Sequence, residues 1–94
     1  MTLTLCVLLW AHPGQEGALT EYEDEVLALL PDHSARLLAR VRSLEPGHAD
    51  EVQLYEFPGQ SELDAYLADP RRTALTARRD AAIARTELFP VAGR

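Results

Sequence analysis

The 94-residue sequence predicts an α+β fold, in which one antiparallel sheet carries helices on a single face. Three observations predict this class. Strand-like and helical segments alternate in the order β-α-β-β-α-β. Proline or glycine marks the boundaries of most segments. The first strand is apolar on both faces, which is typical of a central strand covered on both sides. We expect residues 1–94 to form one domain.

The first strand is predicted over Thr2–Trp10, which is rich in Leu, Val and Thr and stops at the turn signal His12-Pro13-Gly14. The apolar run has no basic residue before it and is far shorter than the roughly 20 residues of a membrane span. We therefore expect a buried strand and neither a signal peptide nor a membrane segment. The single cysteine, Cys6, lies in this run, and we expect a buried thiol in a reducing cytoplasm.

A helix is predicted over Gln15–Leu30, because apolar side chains recur there at helical spacing and acidic residues lie mostly opposite. Pro31 is expected to end it. The next segment, Ala35–Leu44, fits either a helical stripe or an alternating strand. We interpret it as a strand because Pro31-Asp32 separates it from the helix and Glu45-Pro46-Gly47-His48 joins it to another strand.

The clearest strand is Glu51–Phe57, closed by Pro58-Gly59. Ser61, three residues before Asp64, resembles a capping box and predicts the start of a second helix that carries Tyr66.

Asp69 and Pro70 have the residue types expected at the N-cap and first position of a further helix, which we extend to about Ala84. Residues 86–91 are predicted to form a last strand, which Pro90 makes either an edge strand or a terminating strand. The resulting order is that of the ferredoxin-like split βαβ fold, a four-stranded antiparallel sheet with helices on one face. The other face is bare, so we expect a second copy of the chain to cover it.

Several short segments resemble the dimeric α+β barrel superfamily. They are Tyr55-Glu56-Phe57-Pro58-Gly59, the helix with Tyr66, Asp69-Pro70, and the last helix with Leu75 and Arg78-Arg79. The layout is similar to small uncharacterised members and to the antibiotic-biosynthesis monooxygenase type. The resemblance implies a homodimer and a cavity between sheet and helices or within the barrel.

The same superfamily contains haem-degrading enzymes, which use an axial histidine together with an asparagine and a tryptophan. His33 is available, but the sequence contains no asparagine, so this activity is disfavoured. No metal-binding or phosphate-binding motif is present, and we expect no cofactor. The formal charge of −6 disfavours nucleic acid as a partner. Residues 71–94 hold six of the nine arginines, which are expected to pair with the acidic part of the chain.

Strand alternation predicts one candidate site. If Tyr55 and Phe57 face the helices, Arg40 and Glu56 face the other way on neighbouring strands, with Trp10 nearby. One interpretation is a ligand site, and the alternative is an Arg–Glu pair that fixes dimer register.

The candidate catalytic residues are His12, Glu56 and Arg40: His12 or Glu56 would move a proton, and Arg40 would stabilise an enolate or oxyanion. The candidate pocket residues are Trp10, Tyr22 and Tyr66. The predicted function is a homodimer that binds a small organic molecule, as a cofactor-independent monooxygenase or isomerase. The alternative is a non-catalytic structural or stress-related dimer.

Overall fold

The computed structural model describes residues 2–93, which form four strands and four α-helices. A short 3₁₀ turn, Leu30–His33, follows the first helix. The strands and helices in chain order are β1 Leu3–Ala11, α1 Glu16–Leu27, β2 Arg36–Arg42, β3 Glu51–Phe57, α2 Gln60–Leu67, α3 Pro70–Thr73, α4 Thr76–Ala82 and β4 Ile83–Val91.

The strands form one antiparallel sheet in the order β2-β3-β1-β4. This arrangement confirms the predicted ferredoxin-like topology, with β1 in the interior of the sheet. The predicted third helix is two short helices, α3 and α4, and β4 begins at Ile83, three residues earlier than expected.

All helices pack on one face of the sheet, and the residues of the central strands alternate between the two faces. Leu5, Val7 and Leu9 of β1 are buried in the core beneath the helices. Cys6 and Leu8 point to the other face, here called the open face, and are only half-buried. The predicted phase of β1 is confirmed, but Cys6 is not fully buried within one chain.

A β-bulge in β2 changes which face its arginines occupy. Leu37 is opposite Tyr55 and Ala39 is opposite Leu54, so Leu38 is an extra residue without a partner in β3. The extra residue shifts the alternation, because each residue after a bulge takes the face opposite to the one predicted. Arg40, which pairs with Gln53, therefore lies on the helix face and not on the open face.

The helix ends agree with the sequence at one position and differ at two. The carboxylate of Asp69 accepts a hydrogen bond from the Arg71 backbone N–H at 2.9 Å and caps α3, as predicted. The capping box at Ser61 is wrong, because α2 already begins after Gly59 and no side chain caps it. The first helix ends at Leu27, and Pro31 lies in the following 3₁₀ turn.

Ion pairs join the arginine-rich C-terminal part to the acidic part of the chain, as expected. Arg78 of α4 pairs with Glu25 of α1, and Arg71 pairs with Asp32 at 2.8 Å. These groups are exposed, so each pair contributes little to stability. No helix among the described residues has the length and apolarity needed to cross a membrane.

Candidate functional site

A cavity of about 590 Å³ lies between the first turns of α1 and the sheet, where β2 ends and β3 begins. It is an open depression whose walls mix charged, polar and apolar groups. Its walls are formed by Glu16, Gly17, Leu19 and Thr20 of α1, Arg40, Val41, Arg42 and Ser43 of β2 and the loop after it, and Asp50 and Glu51 at the start of β3.

Arg40 is the most extensively hydrogen-bonded residue of this wall. Its Nε and Nη2 donate to the two carboxylate oxygens of Glu51, at 2.9 and 3.3 Å. Its Nη1 donates to Asp24 of α1 at 2.5 Å, and Nη2 also reaches the Thr20 carbonyl at 3.3 Å. A guanidinium with this many fixed partners has a defined position before any ligand arrives. The bulge at Leu38 makes the arrangement possible by turning Arg40 toward α1.

A second buried carboxyl group, that of Glu23, lies behind the Arg40–Glu51 pair, and the Gln53 amide joins the two carboxyl groups. The side-chain nitrogen of Gln53 donates to Glu23 at 2.8 Å and to Glu51 at 2.6 Å. Relative exposures of the three residues are 5% for Glu23, 7% for Glu51 and 1% for Gln53. Burial raises the pKa of Glu23, and the nearby charge of Glu51 raises it further, while the Gln53 hydrogen bond opposes the shift.

The two carboxyl groups of this network, those of Glu51 and Glu23, have different hydrogen-bond partners. Glu51 has Arg40 as a cationic partner, whereas Glu23 has only the neutral Gln53 amide in hydrogen-bond contact. The raised pKa of Glu23 favours its protonated form. The pair therefore offers one carboxylate that is paired with a cation at the cavity wall and, behind it, one carboxyl group whose pKa is raised.

Of the predicted catalytic residues, only Arg40 lines this cavity. Glu56 lies on the open face, where Arg36 donates to it at 3.2 Å. The predicted pairing of Arg40 with Glu56 is wrong because the bulge places them on opposite faces of the sheet. His12 follows β1, is exposed, and has its Nε2 3.1 Å from the carbonyl oxygen of Asp80.

The predicted pocket residues also lie elsewhere. Trp10 is on the open face, where the Arg85 guanidinium stacks 4.4 Å above its ring. Thr4 is the residue opposite Glu56, so six residues of β1, roughly 20 Å, separate Trp10 from Glu56 along the sheet.

Tyr22 and Tyr66 are both in the core beneath the helices, each 1% exposed. The Tyr66 hydroxyl donates to the Val26 carbonyl at 3.1 Å. Burial raises the pKa of Tyr66 to about 12. These contacts describe packing, and a role in ligand binding stays a prediction for both residues.

Sequence reasoning missed Glu51, Gln53 and Glu23. The sequence of β3 does indicate them. Residues 51 and 53 lie four and two positions before Tyr55, so they share the helix face that was assigned to Tyr55 and Phe57. Two polar residues at buried positions of the clearest strand indicate a polar network under the helices. Among residues 2–93, no group of three His, Cys, Asp or Glu side chains has the arrangement needed to hold a metal ion.

Neither models of protein families nor curated proteins match this sequence. Solved structures do match its fold. A dimeric protein of unknown function and ferredoxin-like fold from Bacteroides fragilis superposes with a TM-score of 0.73 at 14% identity, over 96% of this chain and 94% of that one.

Two further structures extend the comparison. An uncharacterized NIPSNAP-like domain protein from Burkholderia xenovorans gives a TM-score of 0.78 at 10% identity, over 99% of this chain and 85% of that one. A dabb family protein with a ferredoxin-like fold from Mesorhizobium loti gives a TM-score of 0.71 at 12% identity, over 99% of this chain and 97% of that one. The chain therefore has a ferredoxin-like fold, as the order of its predicted elements indicates.

Proposed function

We propose that this protein is a homodimer that binds a small organic molecule in the cavity beside Arg40. One observation carries the ligand site: the cavity wall contains a fixed Arg40–Glu51 pair backed by the buried groups Gln53 and Glu23. Buried charged groups are costly, and well-packed apolar residues in their place are often as stabilising or more so. A ligand function explains why the core next to this cavity is polar.

The chemistry that this geometry supports is proton transfer at a carbon next to a carbonyl group. The ligand would displace part of the hydrogen bonding between Glu51 and Arg40; Glu51 would then remove the proton, and the Arg40 N–H released from Glu51 would stabilise the enolate oxygen that develops. An isomerase would return the proton to another atom of the same molecule, and a cofactor-independent monooxygenase would let the enolate react with O₂. Glu51 replaces Glu56 and His12 as the proposed base because it lies at the cavity wall with Arg40.

A variant that fills the cavity tests the ligand site. Gly17 lines the cavity, and a Cβ atom built there meets no atom within 4 Å. Gly17→Leu should therefore extend into the cavity with no clash at Cβ, and losing a helical glycine favours α1. The control is Ala65→Leu, which adds the same side chain to an exposed position of α2.

The measurement is a proton–nitrogen correlation NMR screen with small carboxylic acids, amines and alcohols. We expect some of these compounds to shift the amide signals of the cavity residues in the wild type and in Ala65→Leu, but not in Gly17→Leu. The ligand site is refuted if no compound shifts these signals, or if Gly17→Leu responds as the wild type does.

The apolar open face supports the homodimer. Its central residues are Cys6, Leu8, Val52, Leu54 and Phe89. A continuous apolar surface of this kind is typical of an interface between proteins. The structurally similar Bacteroides fragilis protein is described as dimeric.

A charge in the centre of this face tests the dimer. Leu54 lies opposite Cys6 on one side and Ala39 on the other, so Leu54→Arg places a cation in the middle of the proposed interface. We expect light scattering to give a dimer for the wild type and for the exposed control Ala65→Arg, and a folded monomer for Leu54→Arg. A wild-type monomer would contradict the proposal.

The second candidate function is a non-catalytic dimer, for which the apolar open face alone is sufficient. A dimer whose cavity binds no compound in the screen would favour it.

A further inference from the structure

The charges at the cavity define a class of ligand, provided that the proposed ligand site exists. Its lining contains two guanidinium groups, Arg40 and Arg42, and three carboxylates, Glu16, Asp50 and Glu51. They differ in whether other side chains already neutralise them. This difference separates an inner wall, formed by Arg40 and Glu51, from a rim, formed by Arg42, Glu16 and Asp50.

The inner wall has little free hydrogen-bonding capacity. The three nitrogens of the Arg40 guanidinium already donate to Glu51, Asp24 and the Thr20 carbonyl. Glu51 accepts from Arg40 with both oxygens and from Gln53. A ligand that binds through charge at the inner wall would have to displace these contacts.

The rim has unused charges of both signs. Arg42 lies directly across from Glu51 in the β2–β3 register, yet Glu51 binds Arg40 instead. Within residues 2–93, no acidic side chain lies within ion-pair distance of Arg42, and no basic one lies within that distance of Glu16. Arg42 belongs to β2 and Glu16 to α1, so the two opposite charges occupy different walls of the cavity.

A ligand with a single charge would satisfy only one of these walls. An anion would pair with Arg42 but meet a lining that carries one more carboxylate than guanidinium groups. A cation would pair with Glu16 or with Asp50, whose Oδ2 already accepts from the Ala11 N–H at 2.7 Å, and would leave Arg42 unpaired. Leu19 and the bare backbone of Gly17 provide an apolar surface between the walls, whereas the Val41 side chain, opposite Val52, lies on the open face.

We infer that the ligand is a small zwitterion, with a carboxylate or similar anion at Arg42, an ammonium or similar cation at Glu16, and an apolar body between them. Pairs of this kind at a partly solvated rim are individually weak. The two together determine the selectivity of the site more than its affinity.

Four compounds built on the same ring test this inference with the intact protein at about pH 7. They are para-(aminomethyl)benzoate, benzoate, benzylamine and benzyl alcohol. Affinities are measured from the amide shifts of Gly17, Thr20 and Ser43 in proton–nitrogen correlation spectra. We expect the zwitterion to bind most tightly and benzyl alcohol most weakly.

Two neutralising variants assign each charge. Arg42→Gln should weaken the two carboxylate compounds about three- to fivefold, the factor expected for an exposed ion pair, and leave benzylamine unchanged. Glu16→Gln should weaken the two amines by a similar factor and leave benzoate unchanged. Arg78→Gln and Glu21→Gln, at exposed positions that do not line the cavity, are the matched controls.

The outcomes separate this inference from the proposed function. If the four compounds shift the cavity amides with equal affinity, or if Arg42→Gln weakens all four alike, the zwitterion inference is overturned and the ligand site stands. If no compound shifts these amides in the wild type but other compounds of the wider screen do, the inference alone fails. If nothing shifts them, both fail.

Discussion

Arg40 and Glu51 form a two-point ion pair across β2 and β3, with Nε–Oε2 at 2.9 Å and Nη2–Oε1 at 3.3 Å. The side chain of Glu51 is 9% exposed and that of Arg40 is 25% exposed, so the pair lies at the boundary between the core and the cavity. At such a boundary each partner neutralises a charge that would be costly to bury alone. The pair therefore determines both the local stability of the sheet edge and the polarity of the cavity.

Removing one partner of this pair should cost more than removing both. Arg40→Leu leaves the buried carboxylate of Glu51 without its cation, and we expect a loss of about 1–3 kcal/mol in the free energy of unfolding. The double variant Arg40→Leu, Glu51→Leu should regain at least about 1 kcal/mol of that loss.

Urea denaturation at a fixed protein concentration measures these values. Arg78→Leu is the control, because it breaks an exposed pair with Glu25 away from the open face and should cost no more than about 1 kcal/mol. Equal losses for Arg40→Leu and the double variant would show that Glu51 tolerates burial without Arg40.

The buried Glu23 should make the protein less stable as the pH rises. Burial raises its folded pKa, so its favourable contribution is complete below the unfolded pKa of a glutamate, about 4.3, and is lost as the pH rises through the folded pKa. Glu23→Gln keeps an oxygen that can accept from Gln53 but cannot ionise. We expect this variant to be more stable than the wild type near neutral pH, by on the order of 1 kcal/mol, and equal to it near pH 4.

The check is urea denaturation of both proteins between about pH 4 and 8. Glu21→Gln, at an exposed position of the same helix, is the control and should follow the wild type at each pH. A stability difference between Glu23→Gln and the wild type that does not change with pH would contradict ionisation of Glu23 as its cause.

Local sequence signals predict most of the fold. The bounds of Glu51–Phe57 match the observed β3, because β-branched and aromatic residues end there at Pro58-Gly59. The alternation of β1 also identifies which of its residues face the helices. Both signals are contained in a few consecutive residues.

The candidate site depends on features that a local pattern does not contain. An extra residue at Leu38 reverses the face of every following residue in β2, and nothing in the run of Arg, Leu and Ala residues indicates where it enters the sheet. Arg40 then meets Asp24, sixteen positions earlier, through the packing of α1 on the sheet. The predicted pairing of Arg40 with Glu56 is wrong for this reason, and a catalytic role for Arg40 stays a prediction.

Asp69 should make the protein sensitive to acid. Hydrogen bonds from Arg71, and a further one from His33 at 2.8 Å, hold the pKa of Asp69 well below its usual range. A lowered folded pKa contributes stability above the unfolded value of about 3.9, and this stability is lost as the pH falls through the folded pKa. We expect Asp69→Asn, which can still cap α3, to be destabilised at neutral pH and to show a weaker loss of stability in acid.

Asp69→Ala also removes the cap of α3 and should be less stable than Asp69→Asn at every pH. Thermal unfolding followed by circular dichroism between about pH 2 and 7 tests both variants. Asp64→Asn, an exposed aspartate of α2, is the control. If Asp69→Asn retains the full acid dependence of the wild type, other carboxyl groups are responsible for it.

The hydroxyl groups of two equally buried tyrosines should differ in their value for stability. Tyr66 donates to the Val26 carbonyl and so links α2 to α1, whereas the hydroxyl of Tyr22 has no hydrogen-bond partner within residues 2–93. Tyr66→Phe removes this link, while the Val26 carbonyl keeps the Leu29 backbone N–H at 3.1 Å, and we expect a loss of about 1 kcal/mol against less than about 0.5 kcal/mol for Tyr22→Phe. Because burial raises the pKa of Tyr66 to about 12, the contribution of the neutral hydroxyl is complete below the unfolded value of about 10 and is lost only as the pH rises toward 12. Urea denaturation at about pH 7 and 9 should therefore give the same difference between Tyr66→Phe and the wild type, and equal losses for the two tyrosine variants would exclude the link to Val26 as the cause.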